Sequence, residues 1–297
     1  MKNNLDAFLI IIFLIFVMLV TPKGESKHIG GAATSTGLFS NSALSRVEPS
    51  FQSLEGSTKV NVTISSGNAP YTYQPYQEYI TIENWGEDQV NITGWQLKNG
   101  KDKRTYRVGS GLQRFSADTA AIPTTSEGDV ILKSGERALV ITGSMGIQTP
   151  YKITSFKEDK CTGYIEALPD YTFEPPLQQS CPDPGNEPGV ENLDRECRVF
   201  IERLSPCRTP LFGQLDEFGY RCENCTENQV ILSGSCASFV KEHFNYQGCL
   251  AYHSTDPEFE NRTWRIFLGR SWEMWAEDYE TIELFDRFNN LITSTNY

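Results

Sequence analysis

Residues 78–99, EYITIENWGEDQVNITGWQLKN, contain the strongest fold signal in the chain. Their first half alternates isoleucines with polar residues, which is typical of a β-strand with one buried face. Asn84 and the glycine two residues later predict a turn, because an asparagine side chain can accept hydrogen bonds from its own backbone. Gly94 permits a turn without a Cβ clash beside Trp95, which we expect to fill the space between two sheets.

Short alternating stretches recur on both sides of this segment, with turn signals between them. Strands that are short and frequent indicate a mainly β fold, an antiparallel sandwich or barrel. A tight turn separates residues 129–132 from 137–142 and predicts a pair of joined strands. The last strands are too few to be stable alone in water, so we expect them to complete the amino-terminal sheet. The predicted strands are residues 59–64, 78–83, 94–97, 129–132, 137–142, 264–268, 281–285 and 291–294.

The region between these two groups of strands has a different pattern. Residues 169–189 contain six prolines, which exclude a helix interior or a central strand. Residues 193–204 and 235–244 repeat apolar side chains at helical spacing. The predicted fold is therefore an immunoglobulin-like antiparallel sandwich interrupted by a small disulfide-rich α-helical insertion. The predicted layout is a signal peptide or signal anchor at 1–22, a flexible tether at 23–57, a sandwich at 58–176 plus 263–297, and the insertion at 177–262.

All eight cysteines fall between residues 161 and 249. An even number of cysteines in one region behind an export signal predicts a disulfide framework, although spacing leaves 105 pairings open. Beyond each predicted helix a second cysteine follows 10 or 13 residues after the first, at Cys207 and Cys249, which indicates two stapled helical units. Zinc is the alternative at Cys222 and Cys225, whose spacing is that of a zinc knuckle. The cysteines are Cys161, Cys181, Cys197, Cys207, Cys222, Cys225, Cys236 and Cys249.

The amino terminus indicates an exported protein, and the overall charge bears on its partners. Residues 7–20 are entirely apolar but short for a membrane-spanning helix, which favours a signal peptide or a short anchor. A mean hydropathy of -0.40 excludes a protein with many membrane spans. The formal net charge of -12 repels phosphate backbones, so nucleic acid is an unfavourable partner despite a basic run at residues 98–107. We expect a location in the cell envelope, outside the cytoplasm, or secretion.

The segment 78–99 resembles the lamin-tail domain, an immunoglobulin-like β-sandwich, through its Glu-Tyr-Ile strand and its Val-x-Ile-Thr-Gly-Trp-x-Leu motif. LKSGERALVITG at 132–143 resembles a later loop and strand of that domain, and residues 278–297 resemble its final hairpin. The resemblance covers about 58–160 and 263–297, and the long cysteine-rich segment departs from it. The blocks SFKEDKCTGYIEAL at 155–168 and WRIFLGR at 264–270 resemble envelope-anchored lamin-tail proteins of bacteria, which implies an envelope-anchored protein. The chemistry of the motif residues Asn84, Gly94 and Trp95 predicts structural roles for them.

Two aromatic clusters are the candidate binding residues. Tyr71, Tyr73 and Tyr76 lie near prolines in one predicted loop, and Trp272 and Trp275 lie in another. Exposed aromatic rings contact sugars or proteins at a low entropic cost. The predicted function is therefore non-catalytic binding of a protein or an envelope polymer.

An extracellular hydrolase is the alternative function. His253 and Asp256 lie three residues apart and could contribute to a carboxylate or metal site. The chain has no G-x-S-x-G, Walker or dinucleotide-binding motif. We predict no required cofactor, although calcium is an option at two acidic clusters. These are Asp216, Glu217 and Glu223, and Glu277, Asp278 and Glu280.

Overall fold

A computed structural model describes residues 60–115, 127–144, 154–166, 172–213, 215, 219 and 221–297. The secondary structure in these ranges is mainly β, as predicted. The predicted signal or anchor at 1–22 and the tether at 23–57 lie outside the described residues. None of the helices in the described ranges is both long and apolar enough to cross a membrane.

The described residues contain eleven strands and four α-helices. The strands are β1 (Val62–Ser65), β2 (Tyr79–Asn84), β3 (Val90–Asn91), β4 (Gln96–Asn99), β5 (Thr105–Arg107), β6 (Ile131–Leu132), β7 (Arg137–Ile141), β8 (Phe156–Asp159), β9 (Glu260–Phe267), β10 (Thr281–Phe285) and β11 (Leu291–Asn296). The helices are α1 (Gly163–Glu166), α2 (Arg195–Ile201), α3 (Gly234–His243) and α4 (Tyr246–His253).

The strands form three sheets, and the carboxy-terminal strands belong to the two larger ones. The strand order is β1-β2-β7-β9-β8 in the first sheet, β11-β10-β4-β5 in the second and β3-β6 in the third. β10 pairs with β4 so that Leu284 lies opposite Leu97, and β10 also forms an antiparallel hairpin with β11. The final strands therefore complete sheets that begin in the amino-terminal half, as the sequence predicted.

One strand pairing differs from the predicted antiparallel arrangement. β7 and β9 are parallel, with Val140 opposite Ile266. Parallel neighbours need a long crossover connection, and here the whole cysteine-rich segment lies between the two strands in sequence. The sheet is mixed because the chain returns to it after that segment at the same end at which β7 began.

Residues 129–132 and 137–142 contain two strands joined by a tight connection, as predicted, but the two strands do not pair with each other. β6 pairs with β3, whereas β7 pairs with β2 and β9. Asn84 explains the difference, because its side-chain N–H donates to the Leu132 carbonyl and its own carbonyl accepts from Gly135. The turn at 133–136 is thus bound to the end of β2 and carries the chain from one sheet to another.

Two apolar clusters lie on opposite faces of the five-stranded sheet. One cluster combines buried side chains from all three sheets, including Trp95, Trp264 and Ile266. The other contains the buried residues of the cysteine-rich region together with Phe156 of β8, and Phe267 of β9 packs against it. Successive residues of a strand point to opposite faces, so β9 separates the two cores.

The three motif residues occupy structural positions. Trp95 is buried in the cluster shared by the sheets. Gly94 has a φ of 79°, a left-handed conformation that favours glycine, and its N–H donates to the Val108 carbonyl. The Asn84 Oδ1 accepts from the Gly86 N–H at 2.9 Å, which forms the turn that the sequence predicted.

Four disulfides involve all eight cysteines, in agreement with the predicted framework. Cys197 and Cys236 connect α2 to α3, so the two predicted helical units are stapled to each other. The partners of the other cysteines lie far along the chain or in the same short loop. These pairs are Cys161–Cys249, Cys181–Cys207 and Cys222–Cys225.

Side-chain caps fix the starts of the three longer helices. Asp194, Ser233 and Asn245 each accept a hydrogen bond from a backbone N–H in the first turn of α2, α3 and α4. Helix α4 was not predicted, because its sequence YQGCLAYH has no one-sided apolar face. The Asn245 cap was the available sequence signal for it.

Candidate binding site

The loop at 268–280, which joins β9 to β10, presents its two tryptophans in opposite ways. The Trp272 side chain is 56% exposed and therefore accessible to a ligand. Trp275 is only 5% exposed and belongs to the apolar cluster shared by the sheets. The prediction that both rings form one exposed surface is therefore wrong for Trp275.

Glu78, the first residue of the stretch 78–99, holds this loop in place through its buried carboxylate. Its carboxylate oxygens accept hydrogen bonds from the Met274 N–H at 2.8 Å and the Trp275 N–H at 3.0 Å. The side chain is fully buried, and this desolvation raises the pKa of Glu78 although the hydrogen bonds oppose the rise. The two bonds turn the backbone inward and bring the Trp275 ring into the core.

Asn99, the last residue of the same stretch, holds the loop at a second point. Its Nδ2 donates to the Met274 carbonyl at 2.6 Å and to the Glu280 carboxylate at 2.9 Å. The Tyr297 hydroxyl donates to the Ala276 carbonyl at 2.6 Å. The loop that carries Trp272 is therefore fixed by the buried side chains of Glu78 and Asn99 and by the Tyr297 hydroxyl, and the Trp272 ring needs little further ordering to bind a ligand.

The tyrosine cluster lies at the same end of the sheets. Tyr71 and Tyr73 are exposed and Tyr76 is half-buried. The Tyr73 hydroxyl donates to the Glu277 carboxylate at 3.3 Å, which connects the tyrosine loop to the tryptophan loop. Two aromatic groups that are two hundred residues apart in sequence thus belong to one region of the surface.

A pocket of about 440 Å³ lies beside Trp272, and Arg104, Tyr106 and Arg270 complete its lining. We call it the Arg270 pocket. The Arg270 guanidinium lies over the Tyr106 ring, 4.8 Å from its centroid, and 5.7 Å from the Trp272 centroid. Two guanidinium groups beside an exposed indole can bind an anionic group and a flat or ring-shaped apolar face together.

Sequence reasoning missed Arg270, because a single arginine in a loop has no pattern. Its backbone N–H donates to the Thr142 carbonyl at 2.9 Å, so the end of β7 sets its position. Arg104 belongs to the basic run noted in the sequence, where only nucleic acid was considered as its ligand. The basic run was therefore a usable sequence signal for the Arg270 pocket, but the second cation of that pocket, Arg270, lies far away in sequence.

A separate cluster contains His253 and Asp256, the predicted hydrolytic pair. The His253 Nδ1 lies 2.9 Å from the Asp256 carboxylate, and its Nε2 lies 2.9 Å from the Glu187 carboxylate. The other oxygen of Glu187 lies 2.9 Å from the Nδ1 of His243.

The His243 ring is stacked between Phe239 and Tyr252, with centroids 3.9 Å away on each side. Sequence reasoning missed Glu187 and His243, which no spacing pattern connects to His253.

The surroundings of His253 determine its charge. Burial lowers its pKa, but the hydrogen bonds to Glu187 and Asp256 outweigh burial, so the pKa is raised overall. The hydrogen bond from His253 also lowers the pKa of Asp256. Because carboxylates occupy both ring nitrogens, the favoured state is an imidazolium that joins α4 to the loop around Glu187. This arrangement is suited to crosslinking rather than to proton abstraction.

The predicted metal positions have other interactions. Cys222 and Cys225 are bonded to each other, which leaves no thiolate for zinc at that site. Glu280 accepts from Asn99, and Glu277 accepts from Tyr73. Asp216 and Glu217 lie outside the described residues. Among the residues that the structure describes, no group of three or more His, Cys, Asp or Glu side chains could hold a metal ion.

Comparison with known proteins adds one distant similarity. No family model matches the chain. No solved structure matches it. Elongator complex protein 2 of Mus musculus is 24% identical over 233 residues. The match covers 69% of this chain but only 26% of that protein, so the chain spans about a quarter of the length of this relative.

Proposed function

We propose that this protein is a non-catalytic binding protein of the cell envelope or the exterior. In this proposal a rigid β framework presents the surface around Trp272 to a protein or a glycan. The observation that carries the proposal is the contrast within one loop. Trp275 and the backbone around it are anchored by buried polar groups, while the Trp272 ring stays exposed beside a pocket.

The framework is, in this proposal, a lamin-tail-like and immunoglobulin-like sandwich with a disulfide-rich helical insertion. A single apolar cluster shared by the sheets supports a sandwich, and buried Trp95 fits the structural role that the resemblance implies. The parallel pairing of β7 with β9 departs from an antiparallel sandwich. An insertion between β7 and β9 would account for the parallel pairing, because it supplies the crossover connection that two parallel strands require.

The proposed location is outside the cytoplasm. Four disulfides are consistent with an oxidising compartment, because cytosolic reductants keep thiols reduced. Attachment to a membrane through residues 7–20, or removal of that segment as a signal peptide, is part of the proposal and concerns residues outside the described ranges.

The geometry favours binding over hydrolysis. A general base needs a free nitrogen within reach of a substrate proton, and both nitrogens of His253 contact carboxylates. By contrast, the Arg270 pocket opens to solvent and is lined by groups that recognise ligands rather than by an acid–base pair.

The test is a binding screen with the full, disulfide-bonded chain against arrays of glycans and of envelope or extracellular proteins. We expect at least one ligand whose binding is lost in Trp272→Ala and kept in Trp85→Ala. Trp85 is a matched control, because it is 60% exposed and follows the opposite end of β2. Hydrolysis of a substrate that is abolished by His253→Gln, without any Trp272-dependent binding, would reject the proposal.

A further inference from the structure

The charges that line the Arg270 pocket are both positive, in a chain whose formal net charge is -12. A larger cleft of about 560 Å³ at Trp85 differs in this respect, because its arginines are accompanied by Glu83, Glu258 and Glu260. The charges of that cleft largely compensate one another. The Arg270 pocket is therefore the better anion site of the two.

Neither arginine of the pocket is strongly committed to a protein acceptor. Arg104 pairs with Asp102 at 3.4 Å, but both side chains are more than half exposed, and such surface pairs are weak. No described residue accepts a hydrogen bond from the Arg270 guanidinium, and its Nε is buried without a partner. A ligand carboxylate or sulfate in the pocket can instead accept charge-assisted hydrogen bonds from the terminal Nη groups of the two guanidiniums that line it.

The two aromatic rings define where an anion and a ring can lie. Tyr106 is buried and supports one face of the Arg270 guanidinium, which fixes the direction of its N–H groups. Trp272, two residues away, offers an exposed indole at the edge of the same pocket. The site therefore matches a small ring-shaped ligand that has an apolar face and an anionic substituent on the same ring.

We propose that the Arg270 pocket binds an acidic sugar, with a pyranose ring against Trp272 and its carboxylate or sulfate on Arg104 and Arg270. An acidic pyranose has an apolar C–H face and a charged substituent on the same ring, and the volume of the pocket is that of a small-molecule site. This inference deepens the proposed function and rests on it.

The test uses matched ligands and the full, disulfide-bonded chain. Isothermal titration and tryptophan fluorescence would measure binding of tetragalacturonic acid and of its methyl ester, which keeps the rings but loses the charge. Galactose 6-sulfate against galactose tests the sulfate source in the same way. Hexa-aspartate and a single-stranded oligonucleotide test the other anionic classes.

We expect the charged sugar to bind at least tenfold more tightly than its neutral partner. Arg270→Ala and Arg104→Ala are each expected to weaken binding by roughly 10-fold to 100-fold, because each removes a charge-assisted hydrogen bond to the anionic group. Arg287→Ala is the matched control, since Arg287 is an exposed arginine stacked on Phe288 at another turn and its loss changes the net charge equally. Arg104 is exposed, so its variant remains informative if Arg270→Ala fails to fold.

The outcomes separate this inference from the proposed function. Equal binding of the acid and its ester, equal losses in Arg270→Ala and Arg287→Ala, or a preference for the peptide or the oligonucleotide overturns the acidic-sugar assignment. If a neutral glycan or a protein still binds through Trp272, the proposed function stands while this inference fails. If no ligand of any class depends on Trp272, both fail.

Discussion

Trp272 and Trp275 lie three residues apart in one loop, and their replacement should have very different effects on stability. Trp275 is 95% buried, since its exposed fraction is 5%. A buried tryptophan removes about 150–250 Å² from water, and at about 25 cal/mol per Å² this corresponds to about 4–6 kcal/mol. Aromatic-to-alanine changes in cores cost about 3–5 kcal/mol, so we expect about 4 kcal/mol for Trp275→Ala.

Trp272→Ala removes a ring that is more than half exposed and whose described interaction is with the Arg270 guanidinium. An exposed cation–π contact contributes about 0.5–1 kcal/mol, so the loss of stability should stay below about 1 kcal/mol. The two backbone N–H bonds to Glu78 remain in both variants, because they come from main-chain atoms. The comparison therefore isolates the burial of the two rings.

The assay is thermal and urea unfolding of each single variant, monitored by circular dichroism with the disulfides intact. For a domain of this size 1 kcal/mol shifts the Tm by about 2–4 °C, so we expect a loss of about 10 °C for Trp275→Ala and about 2 °C for Trp272→Ala. Similar losses in the two variants, or a larger loss for Trp272, would refute the assignment of one ring to the core and the other to a ligand surface.

Three further predictions concern the groups that hold the structure together. The raised pKa of His253 implies a stabilisation that is present below its usual pKa of 6.5 and lost as pH rises through the folded value. Above pH 6.5 the urea midpoint should therefore fall more steeply with rising pH in the wild type than in His253→Gln, and equal slopes would contradict this role of His253. Asn99→Ala should lower the free energy of unfolding by about 1–3 kcal/mol, because it leaves the buried Glu280 carboxylate without one donor. Amide hydrogen exchange at Met274 should also become faster, and unchanged exchange would contradict the role of Asn99 in holding the loop. Replacing both Cys161 and Cys249 by serine removes the disulfide that closes a loop of 88 residues. The free energy of unfolding, measured with urea, should fall by about 4–5 kcal/mol, whereas a change below about 1 kcal/mol would argue against this pairing.

The strand positions could be predicted from the sequence because alternation is a local property. The stretch at 78–83 became β2 at Tyr79–Asn84, and the final hairpin formed where turn residues separate two alternating runs. Strand partners could not be predicted in the same way. Whether β7 pairs with β6 or with β9 depends on the side-chain bonds of Asn84 and on the crossover through the cysteine-rich segment. Local patterns contain neither of these contacts.

The candidate site shows the same limit at the level of single side chains. Composition and spacing identified Trp272 and Trp275 as a pair, but they contain no information about which ring points inward. That is determined by Glu78, whose carboxylate accepts two successive backbone N–H groups from the loop. The contribution of Arg270 depends on its position over Tyr106, a residue of β5 that is far away in sequence.

The same 22-residue stretch therefore connects the fold to the proposed binding surface. Its first residue, Glu78, directly precedes β2, and its last residue, Asn99, ends β4 in a different sheet. Both side chains bind the backbone of one loop at Met274. A fully buried carboxylate is costly unless it is hydrogen-bonded, so any movement of this loop away from the sheets would leave Glu78 without partners. The loop is thus coupled to the packing of the two sheets, and the position of Trp272 follows from that packing. A ligand that binds at Trp272 should accordingly raise the thermal stability of the sheets as a whole.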